Sequence, residues 1–342
     1  MTIREELEKA ETEYLSKYAV LSINSRGRER EEEPCDIRPV FQRDRDRIIH
    51  SKAFRRLKDK TQVFLNPEGD HYRTRLTHTL EVSQIARTIA KALKLNEELC
   101  EAIALGHDLG HTPFGHAGER AINAAMKDYF DGKPPFVFKH SEQGVRVASI
   151  LERDGEGLNL TWEVRDGIAN HQTSCTPSTL EGKIVRLADK FAYIHHDMDD
   201  AIRARVLSDS DVPKEIGEVL GFTTKDRLDC LIHNTIRSSM GKNDICMEPE
   251  VMQAMLAMRK FMFGAVYSNP IVKGEEHKAE TLVETLFKHY CDHPDELPEE
   301  YNKLMERGDS PARVACDYIA SMTDRYAIVK YEELFIPISW KY

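Results

Sequence analysis

The segment Gly106–His111 sets a histidine beside an aspartate, and both residue types bind divalent metals. The residues before it predict a helix, because Asn96 can cap the first turn and an apolar pattern runs up to the pair. His107 and Asp108 are expected in the last turn, where the helix carbonyls also favour a cation, and Gly110 is expected to end the helix. Such a pair could support metal-assisted hydrolysis, although a lone pair more often marks a buried, hydrogen-bonded histidine.

The residues that follow could supply an acid or a base. His111, His116 and Glu119 lie in a stretch that proline and glycine keep from being a plain helix. A new helix is predicted from about residue 117, which would place Glu119 in its first turn and within reach of His116. A carboxylate that orients an imidazole raises its basicity, as a general base or acid near neutral pH requires. Glu119 could also cap the helix, and the two roles are compatible.

Further metal ligands must come from other helices, because two side chains do not complete a coordination sphere. Upstream, His78 opens a segment that predicts a helix and is the natural third ligand. The apolar residues that recur there at near-helical spacing are Leu80, Ile85, Ile89 and Leu93.

Downstream, residues 184–202 predict one long amphipathic helix. Its apolar side consists of Ile184, Leu187, Phe191, Ile194, Met198 and Ile202. At about 100° per residue, the opposite sector holds Asp189, Tyr193, His196, Asp197 and Asp200. This polar sector is either a solvated face or the wall of a polar pocket; periodicity does not choose between them, and a solvated face is the commoner outcome.

The order His78, His107-Asp108, Asp189 resembles the HD superfamily of metal-dependent phosphohydrolases. The closer resemblance is to its deoxynucleoside triphosphate (dNTP) triphosphohydrolases, the dGTPase-like proteins. It rests on separated blocks that run nearly from end to end of the chain: 54–64, 73–82, 106–119, 188–197 and 322–327. An HD pair alone fits many phosphohydrolases, whereas the long 106–119 block with the stretch Lys-Thr-Gln-Val-Phe looks like this branch.

The resemblance implies an all-α HD-domain fold and hydrolysis of a dNTP. Water would attack the α-phosphorus and release the deoxynucleoside and inorganic triphosphate in one step. The implied cofactor is a divalent ion (Mn, Mg, Fe, Co, Ni or Zn) held by His78, His107, Asp108 and Asp189. The implied catalytic residues are the dyad His116 and Glu119, with His111 and His140 on the phosphate side of the pocket. The implied substrate-binding residues are Arg55, Gln62, Arg75, Lys190, Tyr193, Asp197, Arg259 and Tyr267.

Among these substrate-binding residues, Arg75, Lys190 and Tyr193 would contact phosphates, and Gln62 and Asp197 resemble positions that recognise the sugar. The last two, Arg259 and Tyr267, would close the pocket from the C-terminal half. Related proteins are multimers, often hexamers or tetramers, so the resemblance implies a homo-oligomer. Some relatives also need a second dNTP, which implies an effector site between subunits.

A triphosphate carries about four negative charges, so its site needs cations. Residues 43–60 have a local surplus of five positive charges in a chain whose formal net charge is -10. The basic residues are Arg43, Arg45, Arg47, Lys52, Arg55, Arg56, Lys58 and Lys60, against Asp44, Asp46 and Asp59. Each of them could instead belong to a solvated face with ion pairs, above all from Arg43 to Arg47 where the signs alternate. Collectively the surplus favours a phosphate-facing surface.

Composition and patterning predict a single all-α domain. The chain has 342 residues with 41% hydrophobic content, enough to bury a large core, and helical patterns recur while alternating strand patterns are scarce. We expect one HD-type domain over 1–342, with a metal-binding core at about 70–205 and a C-terminal helical part at about 211–342.

Seven cysteines without a C-x-x-C pair predict reduced thiols and no zinc-cysteine site. The first residues lack an apolar signal core and no apolar run could cross a bilayer, so a soluble, cytoplasmic protein without a membrane partner is expected. The acidic balance argues against broad nucleic-acid binding, although a basic patch on an oligomer could hold a short single strand weakly.

Two other functions remain open at this point. Another HD phosphohydrolase, such as a 5′-nucleotidase or a hydrolase of ppGpp or cyclic nucleotides, would share the metal ligands. It would not need Gln62, the pair His116 and Glu119, and the C-terminal helices together. A non-catalytic nucleotide-binding regulator is the third reading, and the complete ligand set weighs against it.

Overall fold

The computed structural model describes residues 1–62, 73–267 and 274–337. Within these ranges the chain forms helices and no β-strand, and an isolated bridge joins Thr61 to Thr74. The all-α prediction is therefore confirmed. The side chain of Tyr267, predicted to close the pocket, lies outside the described residues, as does the end of the 54–64 block.

The described residues form the following α-helices: α1 (Ile3–Tyr14), α2 (Val40–Ile49), α3 (Lys52–Arg56), α4 (Arg75–Leu93), α5 (Glu97–Gly106), α6 (Gly115–Tyr129), α7 (His140–Arg146), α8 (Trp162–Ala169), α9 (Leu180–Arg203), α10 (Lys214–Leu220), α11 (Thr224–Ser239), α12 (Pro249–Met262), α13 (Glu276–Asp292), α14 (Glu299–Glu306), α15 (Pro311–Ser321) and α16 (Asp324–Phe335). Short π-helical turns, Val147–Leu151 and Phe263–Tyr267, continue α7 and α12.

Helices α4, α5 and α9 pack against one another and form the centre of the first hydrophobic cluster. The buried face of α4 includes Val82, Ile85 and Ile89, because these residues recur at helical spacing toward α5 and α9. Leu80, one of the apolar residues whose spacing predicts this helix, is 51% exposed and lies off the buried face. The predicted metal ligands lie on α4 and α9 and directly after the end of α5.

Helix α9 is the single long helix that residues 184–202 predict. Its apolar side is buried, and Ile184 and Phe191 have no exposed surface. The opposite side is covered as well, since His196 and Asp197 are also fully buried and α4 packs beside them. The expectation of a solvated polar face is therefore wrong, and this sector is the wall of a polar pocket.

A second hydrophobic cluster joins α6 to the C-terminal helices α13, α15 and α16. Its fully buried members include Ile122 and Met126 from α6, and Phe287 and Ile319 from the later helices. The C-terminal helices thereby support the helix that bears His116. The predicted division into a metal-binding core and a C-terminal part stays a prediction.

Helix α5 begins as predicted, because the Asn96 side chain accepts hydrogen bonds from the amides of Glu98 and Leu99. It ends at Gly106, so His107 and Asp108 follow its last turn instead of lying in it. The prediction that Gly110 ends the helix is wrong.

Close packing explains the glycine at position 110. A Cβ atom on Gly110 would lie 2.1 Å from the carbonyl oxygen of His140 and 2.2 Å from the amide nitrogen of Gly144. The backbone of α7 therefore packs directly on the turn that bears Asp108, and only glycine leaves room for it.

We expect Gly110→Ala to lower the free energy of unfolding by about 1–3 kcal/mol or more, because backbone cannot move aside as a flexible side chain can. Urea unfolding would measure the loss. Gly264→Ala is the matched control, since a Cβ there meets nothing within 4 Å. Equal stability of Gly110→Ala and the control would contradict the close approach.

The basic segment 43–60 is not the phosphate-facing surface that its charge surplus favoured. Arg43 and Arg47 both form ion pairs with Glu32. Lys60 is buried, and its amine donates to backbone carbonyls. These three charges are thus neutralised or used inside the fold, and none of residues 43–60 lines the cavity described below.

None of the described helices combines the length and the apolar character needed to span a bilayer.

Candidate metal centre and active site

Four predicted ligands from three places in the fold converge on one point. The Oδ1 atom of Asp189 lies 3.1 Å from Nε2 of His78 and 3.8 Å from Nε2 of His107. The carboxylate of Asp108 lies 3.4 Å from Nε2 of His107 and 4.0 Å from Nε2 of His78. Ligands bound at about 2.0–2.2 Å to one ion stand about 3–4 Å apart, so His78, His107 and Asp189 fit around a single divalent cation. Asp108 borders this group with one oxygen toward each histidine, and it also forms a possible ligand group with His140 and His171.

The side chain of His107 is prepared for a metal. Its Nδ1 atom lies 2.6 Å from the carbonyl oxygen of Ala104, which fixes the proton on Nδ1 and leaves Nε2 with a free lone pair. That Nε2 atom is buried and has no hydrogen-bond partner. A buried acceptor without a partner is costly, and a cation would satisfy it.

The two carboxylates are held in the charged form that a metal needs. Burial alone would raise the pKa of Asp108, but His107, His111 and Arg75 outweigh it and hold that pKa well below its usual range. Burial also opposes ionisation of Asp189, yet the neighbouring His78 and His107 lower its pKa. Both groups therefore stay ionised at neutral pH.

A histidine behind the site orients His78. The Nδ1 atom of His78 lies 2.6 Å from Nε2 of His196, and Nδ1 of His196 lies 2.6 Å from Oδ1 of Asp197. If His78 binds a metal through Nε2, its Nδ1–H donates to His196, and such a partner fixes the tautomer of a metal ligand. Asp197, predicted to contact the sugar, is thus also linked to the metal centre.

The predicted acid and base residues form a second group beside the first. Nδ1 of His140 lies 2.7 Å from Oε2 of Glu119, whereas Nδ1 of His116 lies 3.7 Å from the same atom. Glu119 therefore hydrogen-bonds His140, and the predicted direct bond to His116 is longer than a hydrogen bond. Burial opposes ionisation of Glu119, but His116 and His140 outweigh it and hold the pKa of Glu119 well below its usual range.

His111 joins the two groups. Its ring stacks on the ring of His140 with 3.9 Å between centroids, and its Nε2 lies 3.2 Å from Oδ1 of Asp108. Burial lowers the pKa of His111 well below its usual range, so the ring is neutral next to the cationic Arg75. The imidazole of His111 therefore contacts both the predicted metal ligand Asp108 and the predicted acid–base residue His140.

Sequence reasoning missed His171. This buried residue follows α8, and its Nε2 lies 3.3 Å from Nε2 of His140. Burial, with His107 and His140 nearby, lowers its pKa to about 4. Like His107, His171 follows a helix, and its Nδ1 lies 2.7 Å from the carbonyl oxygen three residues earlier, here that of Ile168, a relation that only the structure shows.

A cavity of about 540 Å³ opens onto both groups. The predicted residues that line it are Gln62, Arg75, His78, Asp108, His111, His116, His140, Asp189, Lys190, Tyr193, Asp197 and Arg259. His107 and Glu119 stand behind this lining, in contact with it. Arg55 is exposed and is not among the described residues that line the cavity.

Cationic side chains are part of the cavity lining. Arg75 donates to Oδ2 of Asp108 at 2.8 Å, so its guanidinium lies at the predicted metal ligands. Lys190 also lines the cavity; burial and the neighbouring Arg186 and Arg259 lower its pKa to about 8, which leaves it mostly protonated at pH 7. The cavity therefore suits a polyanion.

Residues 75–194 match the HD domain, and residues 245–333 match the phosphohydrolase-associated domain. The helical fold and the His/Asp cluster agree with that class, whose members are metal-dependent phosphohydrolases.

Relatives match over nearly the whole chain. A deoxyguanosinetriphosphate triphosphohydrolase-like protein of Caldanaerobacter subterraneus subsp. tengcongensis is 56% identical over 99% of this chain and 98% of its own. Proteins of the same description from Desulfatibacillum aliphaticivorans and Clostridium perfringens are 48% and 47% identical, each over 98% of this chain and over 99% and 98% of their own lengths. The chain belongs to the deoxyguanosinetriphosphate triphosphohydrolase-like family.

Proposed function

We propose that this protein hydrolyses deoxynucleoside triphosphates, dGTP or dNTPs generally, to the deoxynucleoside and inorganic triphosphate. The observation that carries the proposal is the four-donor centre of His78, His107, Asp108 and Asp189 beside the bonded pair of Glu119 and His140, in one cavity. The relatives are described as deoxyguanosinetriphosphate triphosphohydrolase-like proteins, which supports a deoxynucleoside triphosphate as the substrate.

The charges of the cavity support a triphosphate. A bound divalent ion would polarise the α-phosphate and lower the pKa of a water molecule beside it. Arg75 lies next to the ligand Asp108 and can contact the innermost phosphate, while Lys190 and Arg259 lie on the side where the outer phosphates would extend. Positioning and electrostatic stabilisation are what phosphoryl transfer requires of a protein.

The acid–base residues complete the reaction. When a water oxygen bonds to the α-phosphorus, the bond to the 5′-oxygen breaks, and that oxygen needs a proton as it leaves. His116 reaches into the cavity with an exposed side chain and can donate this proton. Glu119 is ionised and bonded to His140, and its negative charge would stabilise an imidazole that carries a proton for transfer.

The other proposed substrate contacts come from Gln62, Tyr193 and Asp197, which all line the cavity. Gln62 and Asp197 would hold the deoxyribose, and Tyr193 would contact a phosphate. Assembly into a homo-oligomer, a tetramer or hexamer, stays a prediction that mass determination in solution would check. Activation by a second dNTP also stays a prediction, which assays with mixed dNTPs would check.

The metal that the four ligands prefer among Mn, Mg, Fe, Co, Ni and Zn is set by availability as well as by donor type.

A product assay tests the proposed function. Purified protein with Mn²⁺ or Mg²⁺ and the four dNTPs, alone and in mixtures, should release inorganic triphosphate and the deoxynucleoside. In ¹⁸O-labelled water the label should appear in the triphosphate, because attack is at the α-phosphorus. Samples with a chelator serve as the control. Pyrophosphate or orthophosphate as the first product would show a different phosphohydrolase, and no product from any dNTP would overturn the proposal.

A further inference from the structure

The helix pair α15–α16 lies behind the site and contributes no described residue to the lining of the cavity. It contains the block 322–327, to which neither the sequence nor the site geometry has assigned a role. Asp324 begins α16, directly after the capping residue Thr323, and is 7% exposed. A buried carboxylate is expensive unless it is fully hydrogen-bonded, so its partners indicate what it does.

Asp324 bonds to two separate segments of the cavity wall. Its Oδ2 atom accepts the amide of Thr61 at 2.9 Å and also the Thr61 hydroxyl. Its Oδ1 atom accepts the amide of Phe114 at 2.9 Å. Thr61 precedes the cavity residue Gln62, and Phe114 lies in the turn between His111 and His116. One carboxylate therefore joins the substrate side of the cavity to its acid–base side.

The turn that Asp324 holds is strained. Phe114 has φ of 61°, in the left-handed region that a non-glycine residue adopts only at an energetic cost. Gly115 follows with φ of 58°, and a Cβ there would lie 2.8 Å from Nη2 of Arg75. The bond from Phe114 to Asp324 offsets the strain and keeps the turn against Arg75.

Lys60 makes a second connection between this turn and the helix pair. The buried amine of Lys60 donates to the carbonyl oxygen of His111 and, at 2.7 Å, to that of Ala320 at the end of α15. Both ends of the turn from His111 to Phe114 are thus attached to the helix pair. The metal ligands, in contrast, come from α4, the turn after α5, and α9.

We propose that Asp324 is a positioning residue for the hydrolysis proposed above: it fixes the turn that places His111 and His116 and ties it to the Gln62 segment. The inference rests on the proposed function for the reaction, and on the bonds of Asp324 for the positioning. The C-terminal helix pair would then align the acid–base group with a metal centre whose ligands come from α4, the turn after α5, and α9.

Asp324→Asn tests the proposal, because an amide keeps one acceptor oxygen and loses the other. We expect the kcat for dNTP hydrolysis to fall about 10²-fold, since a displacement of about 1 Å costs that much, while the bound metal per chain stays the same. Asp324→Ala should lower kcat further. Hydrogen exchange measured by mass spectrometry should become faster in peptides containing Thr61 and Phe114 in both variants.

Val314→Ala is the control, because Val314 is a fully buried residue of α15 whose truncation destabilises the same helix pair while the hydrogen bonds of Asp324 stay in place. It should leave kcat and exchange at Thr61 and Phe114 unchanged at a temperature where all variants are folded. If Asp324→Asn matches the control in kcat or in exchange, the positioning role is overturned. Failure of the wild-type product assay would instead overturn the function, and the exchange experiment would still decide whether Asp324 holds the turn.

Discussion

Asp108→Ala is expected to abolish metal-dependent turnover, with kcat at least about 10³-fold lower than that of the wild type. A metal at a phosphate supplies several kcal/mol of transition-state stabilisation, and each 1.36 kcal/mol is a factor of about ten. Asp108 is the ligand with the most partners, since it contacts His107, His111 and Arg75. Its removal deletes a metal donor and leaves the buried Arg75 without its carboxylate.

Two measurements check this expectation: metal content per chain by elemental analysis, and release of triphosphate. Both should be lost together. Asp128→Ala is the matched control, because Asp128 is an exposed acid of α6 that pairs with Lys288. The control should bind metal and turn over as the wild type does. Persistent turnover in purified Asp108→Ala would show that the metal assignment is wrong.

Glu119→Gln is expected to lower kcat about 10²–10⁴-fold, the range that a positioned acid–base group contributes. The amide keeps the size of the side chain and removes the negative charge. His140 then loses its charged partner at 2.7 Å, and the negative charge beside the acid–base histidines is gone. Glu119 belongs to a separate group with His111, His116 and His140, so the metal bound at His78, His107 and Asp189 should remain at the wild-type value.

The combination of lost turnover and retained metal separates this variant from Asp108→Ala. Glu142→Gln provides the control, since Glu142 is an exposed acid of α7 that pairs with Lys139 and does not line the cavity. Full activity in Glu119→Gln would rule out the acid–base role of the pair with His140. Loss of metal in the same variant would instead place Glu119 among the ligands.

Local sequence was sufficient where one segment decides its own structure. The cap at Asn96 and the amphipathic pattern of α9 depend on side chains within a few residues, so both were predicted. The residue types able to bind a metal were equally visible, as was the family. The end of α5 was misplaced, because Gly110 is required by the approach of α7 and not by the helix itself.

The partners of the acid–base residues could not be read in the same way. Chain spacing suggested that Glu119 bonds His116, three residues away, but the packing of α6 on α7 brings His140 closer. His171 went unnoticed because it follows a helix with no neighbouring ligand in the sequence. The basic segment 43–60 was misread for a related reason, since Glu32 from a preceding loop neutralises two of its arginines.

The amino-acid sequence by itself determined that the chain is helical, that His78, His107, Asp108 and Asp189 are able to bind a cation, and that the protein resembles dGTPase-like hydrolases. Only the tertiary structure decided which side chains meet: that the polar side of α9 is buried, and that Asp324 reaches the turn at Phe114. The physical reason is that helix propensity and capping act over one or two turns, whereas distances between helices depend on how their apolar faces pack.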